Sequence, residues 1–467
     1  MRPYRFATIA LLLALDAGSL HARENTAVLP VPAHGVIGVL EAHLTPEFWI
    51  ARLPQPDRLI LDHAAIAAQN ARMQRLDPSM HDLRALPARL TRAQVAGWIQ
   101  TVSVRPSSER FDADGRPLPA ATLDAIVDNL ALDAIPQQEP TRYGLVVQRA
   151  DLRTFPTDLR AFSIRGDTDI DRFQESALFP GTPVVIAHRS RDRDWLFVLS
   201  PDYAAWIQAR HVAEGSGAQV FGHGDKTPYR IVTGAGERTV FTPLRPAVSQ
   251  LRLDMGVRVP VLTGWPADQP VDGQHPYTAH VIELPLRAGD GTLQFVPALL
   301  PKRADSAEDY LPLTPANLIR QSFKFLGERY GWGHAFDGRD CSGFVAEVYR
   351  STGVMLPRNT SDQAASPAMN RLAFTPADGR ASRQAALRAL QVGDLVYIPG
   401  HVMMVIGDID GEPYVIHDTA GINLRDDNGA LRRVVLNGVS VSPLTPLQAD
   451  AQWSYVDRIT SIVRLRR

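Results

Sequence analysis

The spacing of apolar residues changes character along this 467-residue chain, and each change predicts a different kind of structure. From about residue 23 to 140 the spacing is mostly helical, in Phe48-Trp49-Ile50, in Leu59-Ile60-Leu61 through Ile66 to Asn70, and in Ala93 through Val95 to Trp98-Ile99. Polar stretches with glycine or proline, Asp112 to Pro117 and Gln137 to Pro140, predict loops between them. From Tyr143 to about Ala213 the chain turns to short runs rich in Val, Ile, Phe and Trp. Tyr143 to Val147, Pro183 to Ala187 and Trp195 to Leu199 are separated by turn residues, as in a small β-barrel. A second block of this texture, from about Tyr229 to Leu300, contains Arg258 to Leu262, His280 to Leu284 and Leu293 to Pro297. The last part mixes both periods. Leu318, Ile319, Phe323 and Leu326 mark one helix face, and Phe344, Val345, Val348 and Tyr349 mark another. Strands follow at Asp394 to Ile398, His401 to Ile406 and Pro413 to His417. Helices first and an antiparallel sheet afterwards describe an α+β domain.

At about 150 residues per domain the length suggests about three domains. The chain is 45% hydrophobic and 21% charged with a formal net charge of -1, so nothing in its bulk charge calls for nucleic acid or an anionic membrane as partner. Arg2 and Arg5 precede the apolar run Phe6 to Leu15 and a small-residue cleavage pattern at Leu20-His21-Ala22, which predicts a signal peptide over residues 1–22. That run is too short to cross a bilayer, and no later window reaches about 18 apolar residues, so the expectation is export to the periplasm or beyond with no integral membrane segment left after cleavage. The mature chain then divides into an N-terminal segment over 23–140, two small barrels over 141–215 and 216–305, and a C-terminal domain over 306–467.

Cys341 is the sole cysteine and stands in Asp340-Cys341-Ser342-Gly343-Phe344, at the start of the second C-terminal helix pattern. Asp340 is a good N-cap residue, which puts the thiol in the first turn, where the positive end of the helix favours a sulfur anion over the free thiol with its pKa of about 8.5. The carboxylate of Asp340 opposes that effect, so a histidine has to supply the larger share. His401 and His417 lie equally far from residue 409, beside the hairpin signal Asp410-Gly411, which predicts neighbouring positions on one sheet face. A helix packed on that face would bring Cys341 to His401 as general base, with His417 holding the ring's orientation and tautomer; Asp418 is the alternative for that third role. A single cysteine is usually a small core residue, and lone histidines such as His188, His211, His223, His280 and His334 read as structural. A zinc site built from Cys341, His401 and His417 lacks the close ligand pairs such sites use, so neither metal nor other cofactor is expected.

Taken together, Tyr330-Gly331-Trp332-Gly333, Asp340 to Phe344, Leu356-Pro357-Arg358, Gly393 to Val396, Gly400-His401-Val402 and His417 resemble the NlpC family of cell-wall cysteine peptidases. The resemblance implies a papain-like catalytic domain with Cys341 as nucleophile, His401 as base and His417 as third polar member. Upstream, Phe48-Trp49 resembles a stabilising N-terminal segment, and Asp151 to Pro156 with Tyr203 to Trp206 resembles the first of two bacterial SH3-like domains. Members with this layout are similar to γ-D-glutamyl-L-diamino-acid endopeptidases, which cut peptidoglycan stem peptides and prefer a free N-terminal L-alanine. The substrate implied is peptidoglycan or a muropeptide, held by Tyr330, Asp340, Ser342 and Tyr203. Asn359-Thr360 departs from the acidic residue and serine common in such relatives. Competing readings are a non-catalytic cell-wall binding protein and a thiol amidase or acyltransferase on the same fold.

Overall fold

The computed structural model describes residues 35–426 and 428–466; the expected signal segment lies outside them. Helix α1 (His63–Leu76) starts where Asp62 Oδ1 accepts the Ala65 N–H at 2.8 Å. Leu59-Ile60-Leu61, read above as part of a helical face, is instead extended: the Ile60 N–H donates to the Leu313 carbonyl at 2.8 Å, and the Asp62 cap fixes the helix start beyond it. Helix α2 (Arg92–Val102) opens with a capping box of Thr91 and Gln94. Neither helix belongs to a core of its own. Ile66 and Met73 of α1 join the catalytic core with Phe344 and Met404, whereas Val95 and Ile99 of α2 pack with Phe155, Phe173 and Trp206 of the first barrel.

That barrel is one antiparallel seven-stranded sheet of β1 (Arg142–Val146), β2 (Ala150–Arg153), β3 (Gln174–Leu178), β4 (Pro183–Arg189), β5 (Trp195–Leu199), β6 (Ala204–Gln208) and β7 (Val212–Gly215), in the order β3-β2-β6-β5-β4-β1-β7. Its strands are apolar on both faces because both are covered. Val184, Ile186, Leu196 and Val198 fill the interior, while Val185, Ala187, Phe197 and Leu199 pack beneath α2. A helix over Gly217–Asp225, capped by Ser216, leads into the next unit; the sequence spacing did not single it out. There three small antiparallel sheets, the largest pairing Ala279–Arg287 with Leu293–Pro301, enclose Val232, Val259, Ile282 and Leu300.

The C-terminal domain is an α+β layer structure. Its sheet has the order β8 (Asn370–Ala373), β13 (Ser461–Arg464), β9 (Leu395–Ile398), β10 (His401–Ile409), β11 (Glu412–Arg425), β12 (Leu431–Pro443). Helices α3 (Pro315–Phe323) and α4 (Cys341–Arg350) cover one face, meeting Val402, Met404, Ile406 and Ile416. The short helices α5 (Thr360–Ala365), α6 (Arg380–Leu387) and α7 (Tyr455–Arg458) complete the domain, and α6 and α7 cover Met403, Val405 and Val415 on the other face. Asp410 and Gly411 turn the β10–β11 hairpin with φ of 53° and 87°, the left-handed pair that a tight hairpin needs. The register differs from the expected one: Met404 opposes Ile416 and Val405 opposes Val415, and a bulge at Ile406 then brings Gly407 opposite Tyr414. The turn is therefore centred between Asp410 and Gly411, and on this register His401 and His417 are diagonal rather than directly opposed neighbours, a separation that long side chains span.

Candidate active site

Asp340 is extended at φ -99°, ψ 178°, and its Oδ1 accepts the Gly343 N–H at 2.9 Å, so Cys341 is the first residue of α4. The thiol is buried. Its sulfur lies 3.5 Å from Thr360 Oγ1 and 4.0 Å from the carbonyl oxygen of Gly400, the residue immediately before His401. His401 Nε2 meets His417 Nδ1 at 2.7 Å, and His417 Nε2 meets Ser442 Oγ at 2.8 Å. The direction of these two bonds follows from the tautomer that a general base needs. A His401 ring with Nδ1 free to accept a proton carries its hydrogen on Nε2 and donates it to His417 Nδ1; His417 then donates from Nε2 to Ser442. Asp418, the alternative third member, bonds to neither ring.

The helix does not pack on the histidines' side of the sheet, as the spacing had suggested. It packs against Val402, Met404 and Ile416, while the His401 ring lies toward Tyr455, with 6.4 Å between centroids. The sulfur meets the histidine strand at the open end of the hairpin, against the backbone at Gly400. Burial, reinforced by the Asp340 carboxylate, opposes the helix-start effect and pushes the thiol up to about 11, so the base has to supply the larger share, as the sequence led us to expect. Burial pushes His401 down to about 4, and burial together with His401 pushes His417 far below its ordinary range. The resting groups are a neutral thiol and a neutral imidazole. A proton passing between them would create two opposite charges that stabilise each other in a poorly solvated site.

Asp340 and Ser342 are occupied within the protein. Asp340 Oδ1 accepts from Gly343, from Ser342 Oγ at 3.2 Å and from Arg358 Nη1 at 3.1 Å; Oδ2 accepts from the Gly333 N–H at 3.0 Å and from Arg358 Nη2 at 2.8 Å. Burial alone would raise this carboxyl, but the Arg358 guanidinium, helped by His334, holds it at about 2. Both oxygens of Asp340 are therefore engaged within the protein. Ser342 Oγ likewise accepts from Arg358 Nη1 at 3.0 Å.

Tyr330 is half-buried, and burial together with Cys341, Asp340 and Asp418 pushes its phenol far up, so it keeps its proton. Tyr203, half-buried on the first barrel, donates from Oη to Glu175 Oε2, and Thr154 Oγ1 donates to Glu175 Oε1 at 2.5 Å. Strand β3 carries that glutamate into contact with the catalytic domain: Arg358 Nε donates to Ser176 Oγ at 2.7 Å, Trp332 Nε1 to the Gln174 carbonyl at 3.1 Å, and Gln174 Nε2 to the Gly333 carbonyl at 2.9 Å. Glu175, Thr360, Ser442 and the role of Arg358 were not identified from sequence. Arg358 lies within the Leu356-Pro357-Arg358 motif and Thr360 just beyond it, whereas Glu175 and Ser442 reach the site only through tertiary contact. Among the described residues no three His, Cys, Asp or Glu side chains are grouped to hold a metal ion.

Residues 327–438 match the NlpC/P60 family, and residues 160–208 match the SH3 domain of SH3b1 type. No curated protein matches the chain. Among solved structures the chain is similar to an NlpC/P60 endopeptidase from Photobacterium damselae subsp. piscicida, with a TM-score of 0.71 and 18% identity over 88% of this chain and 94% of that one. An NlpC/P60 family protein from Bacillus cereus ATCC 10987 gives a TM-score of 0.46 at 19% identity over 70% of this chain and 100% of that one. With a lone cysteine opening a helix against the histidine-bearing strand, the chain carries an NlpC/P60 domain over residues 327–438, flanked upstream by an SH3 domain of SH3b1 type over residues 160–208.

Proposed function

We propose that the protein hydrolyses the bond between γ-D-glutamate and the L-diamino acid of peptidoglycan stem peptides, acting on short peptides with a free N-terminal L-alanine. The observation that carries this reading is the 2.7 Å contact of His401 with His417 on a strand whose preceding residue, Gly400, lies 4.0 Å from the Cys341 sulfur. In the proposed reaction, rotation of the thiol and the imidazole at the open end of the hairpin brings Sγ to His401 Nδ1. The ring takes the thiol proton as sulfur adds to the γ-carbonyl carbon. The Cys341 backbone N–H, with the Tyr330 hydroxyl, is assigned as donor to the developing oxyanion. The imidazolium then protonates the leaving amine as the C–N bond breaks, leaving a thioester. Water, deprotonated by the same ring, adds to the thioester, and the thiol departs with its proton restored. His417, backed by Ser442, keeps the ring in the tautomer that both steps need.

The free-amine preference is assigned to Glu175 with Tyr203 in addition to Asp340, since an ammonium enclosed without a counter-charge would be costly. The run Phe6 to Leu15 supports export, and the sheets between Tyr229 and Ala307 support a second SH3-like barrel. Incubation with L-Ala-γ-D-Glu-diaminopimelate, followed by mass analysis, tests the reaction. Release of L-Ala-D-Glu and free diaminopimelate is expected. A folded enzyme that leaves the peptide intact, or transfers the dipeptide to another acceptor, refutes the assignment.

A further inference from the structure

The loop leading to the nucleophile has an unusual backbone. His334, Phe336 and Asp337 have φ of 64°, 58° and 58°, left-handed values that non-glycine residues seldom adopt and that persist only where surrounding contacts enforce them. Phe336 and Asp337 are exposed, but His334 is buried and bonded on both ring nitrogens. Arg358 Nη2 donates to His334 Nδ1 at 3.1 Å, so the ring proton sits on Nε2, which donates to Glu347 Oε1 at 3.0 Å. The ring is also wedged against the first turn of α4: a Cβ placed on Gly343 would lie 2.4 Å from His334 Cε1.

Each partner continues into a buried chain. Arg358 grips both oxygens of Asp340 and reaches Ser176 of the first barrel. The second oxygen of Glu347 accepts from Arg339 Nε at 3.1 Å and Nη2 at 2.8 Å. Arg339 Nη2 also reaches Asp254 at 2.8 Å in the second unit, where Arg149 Nη1 joins at 2.6 Å. The His334 ring thus connects the charge pair beside the nucleophile to the polar core under α4.

We propose that His334 is a positioning residue of the catalytic site, its neutral ring clamping Arg358 against Asp340 and anchoring that clamp through Glu347 to the nucleophile helix. The inference rests on Cys341 being the nucleophile. It follows from charge: Asp340 beside the sulfur disfavours a thiolate, and Arg358 offsets Asp340 only while its fork stays seated. A protonated ring could not accept from Arg358. Burial and the Arg358 cation keep it neutral against the pull of Glu347 and Asp340, at about 4.

The test is the pH dependence of Cys341 alkylation by iodoacetamide in the full chain, which needs no peptide substrate. His334→Asn suits the left-handed backbone but is too short to bridge both partners. It should move the inflection up by about one pH unit, so that alkylation at pH 7 slows about tenfold, with kcat falling in parallel. His334→Gln, whose amide can accept from Arg358 and donate to Glu347, should restore most of the wild-type profile. An Asn variant that loses thermal stability while keeping the wild-type inflection, or Asn and Gln variants shifted alike, overturns the proposal. A wild-type enzyme that alkylates as described but cuts no stem peptide would refute the functional reading and leave this inference standing.

Discussion

Asp418 offers a prediction whose size can be worked from its surroundings. The side chain is fully buried, and neither carboxyl oxygen has a hydrogen-bond partner among the described residues. Burial, then the carboxylates of Asp340 and Glu328, outweigh the Arg339 cation and push the acid up to about 9. In the unfolded chain the same group titrates near about 3.9. Between these values the folded state holds a proton that the unfolded state has released, so the stability contribution is complete below about pH 4 and is lost progressively as pH rises toward 9. Each pH unit in that window costs about 1.4 kcal/mol. Asp418→Asn keeps the shape and removes the proton. The stability of the variant relative to wild type should therefore rise by about 4 kcal/mol between pH 5 and pH 8. Urea unfolding of both proteins at the two pH values, following the transition of the catalytic domain, measures this. Hydrolysis should survive the substitution, because the group is neutral in either form. A stability difference that does not change with pH, or a variant that is less stable at pH 8, refutes the reasoning.

Three further outcomes are expected. Cys341→Ala should abolish hydrolysis and leave the circular dichroism spectrum and melting temperature near wild type; residual turnover would point to another nucleophile. His417→Ala should lower kcat about a hundredfold with little change in KM, because the base loses its orienting partner while the substrate contacts remain; wild-type kcat would exclude that role. Glu175→Gln should raise KM for a free-amine stem peptide without changing KM for its N-acetylated counterpart, and equal effects on both would take Glu175 out of amine recognition.

Much of the fold was legible because it follows from local pattern. Short apolar runs bounded by turn residues marked the strands of the first barrel and the hairpin, and Asp410-Gly411 marked the turn between β10 and β11. The start of α4 was readable from Asp340 because capping is a nearest-neighbour interaction. What failed was non-local. The bulge at Ile406 shifts the hairpin register, and it leaves no trace in hydrophobic spacing because both faces of β10 are buried. Asp340 looked like a free carboxylate until Arg358 folded onto it, and Ser442 reaches His417 only because β12 pairs with β11. His334 makes its two ring contacts with residues 13 and 24 positions away, so its partners too are set by the fold. At the thiol, the helix start favours the anion while burial and Asp340 oppose it, and the depth of that burial is a tertiary property.

The central claim is that the Cys341 thiol exchanges its proton with His401, and comparing Cys341 alkylation against pH in wild type and in His401→Ala tests it most directly. Wild type should react through an imidazole-assisted thiolate at neutral pH, whereas the variant should react only at markedly higher pH, as a buried thiol without a base does. Superimposable profiles for the two proteins would contradict the account.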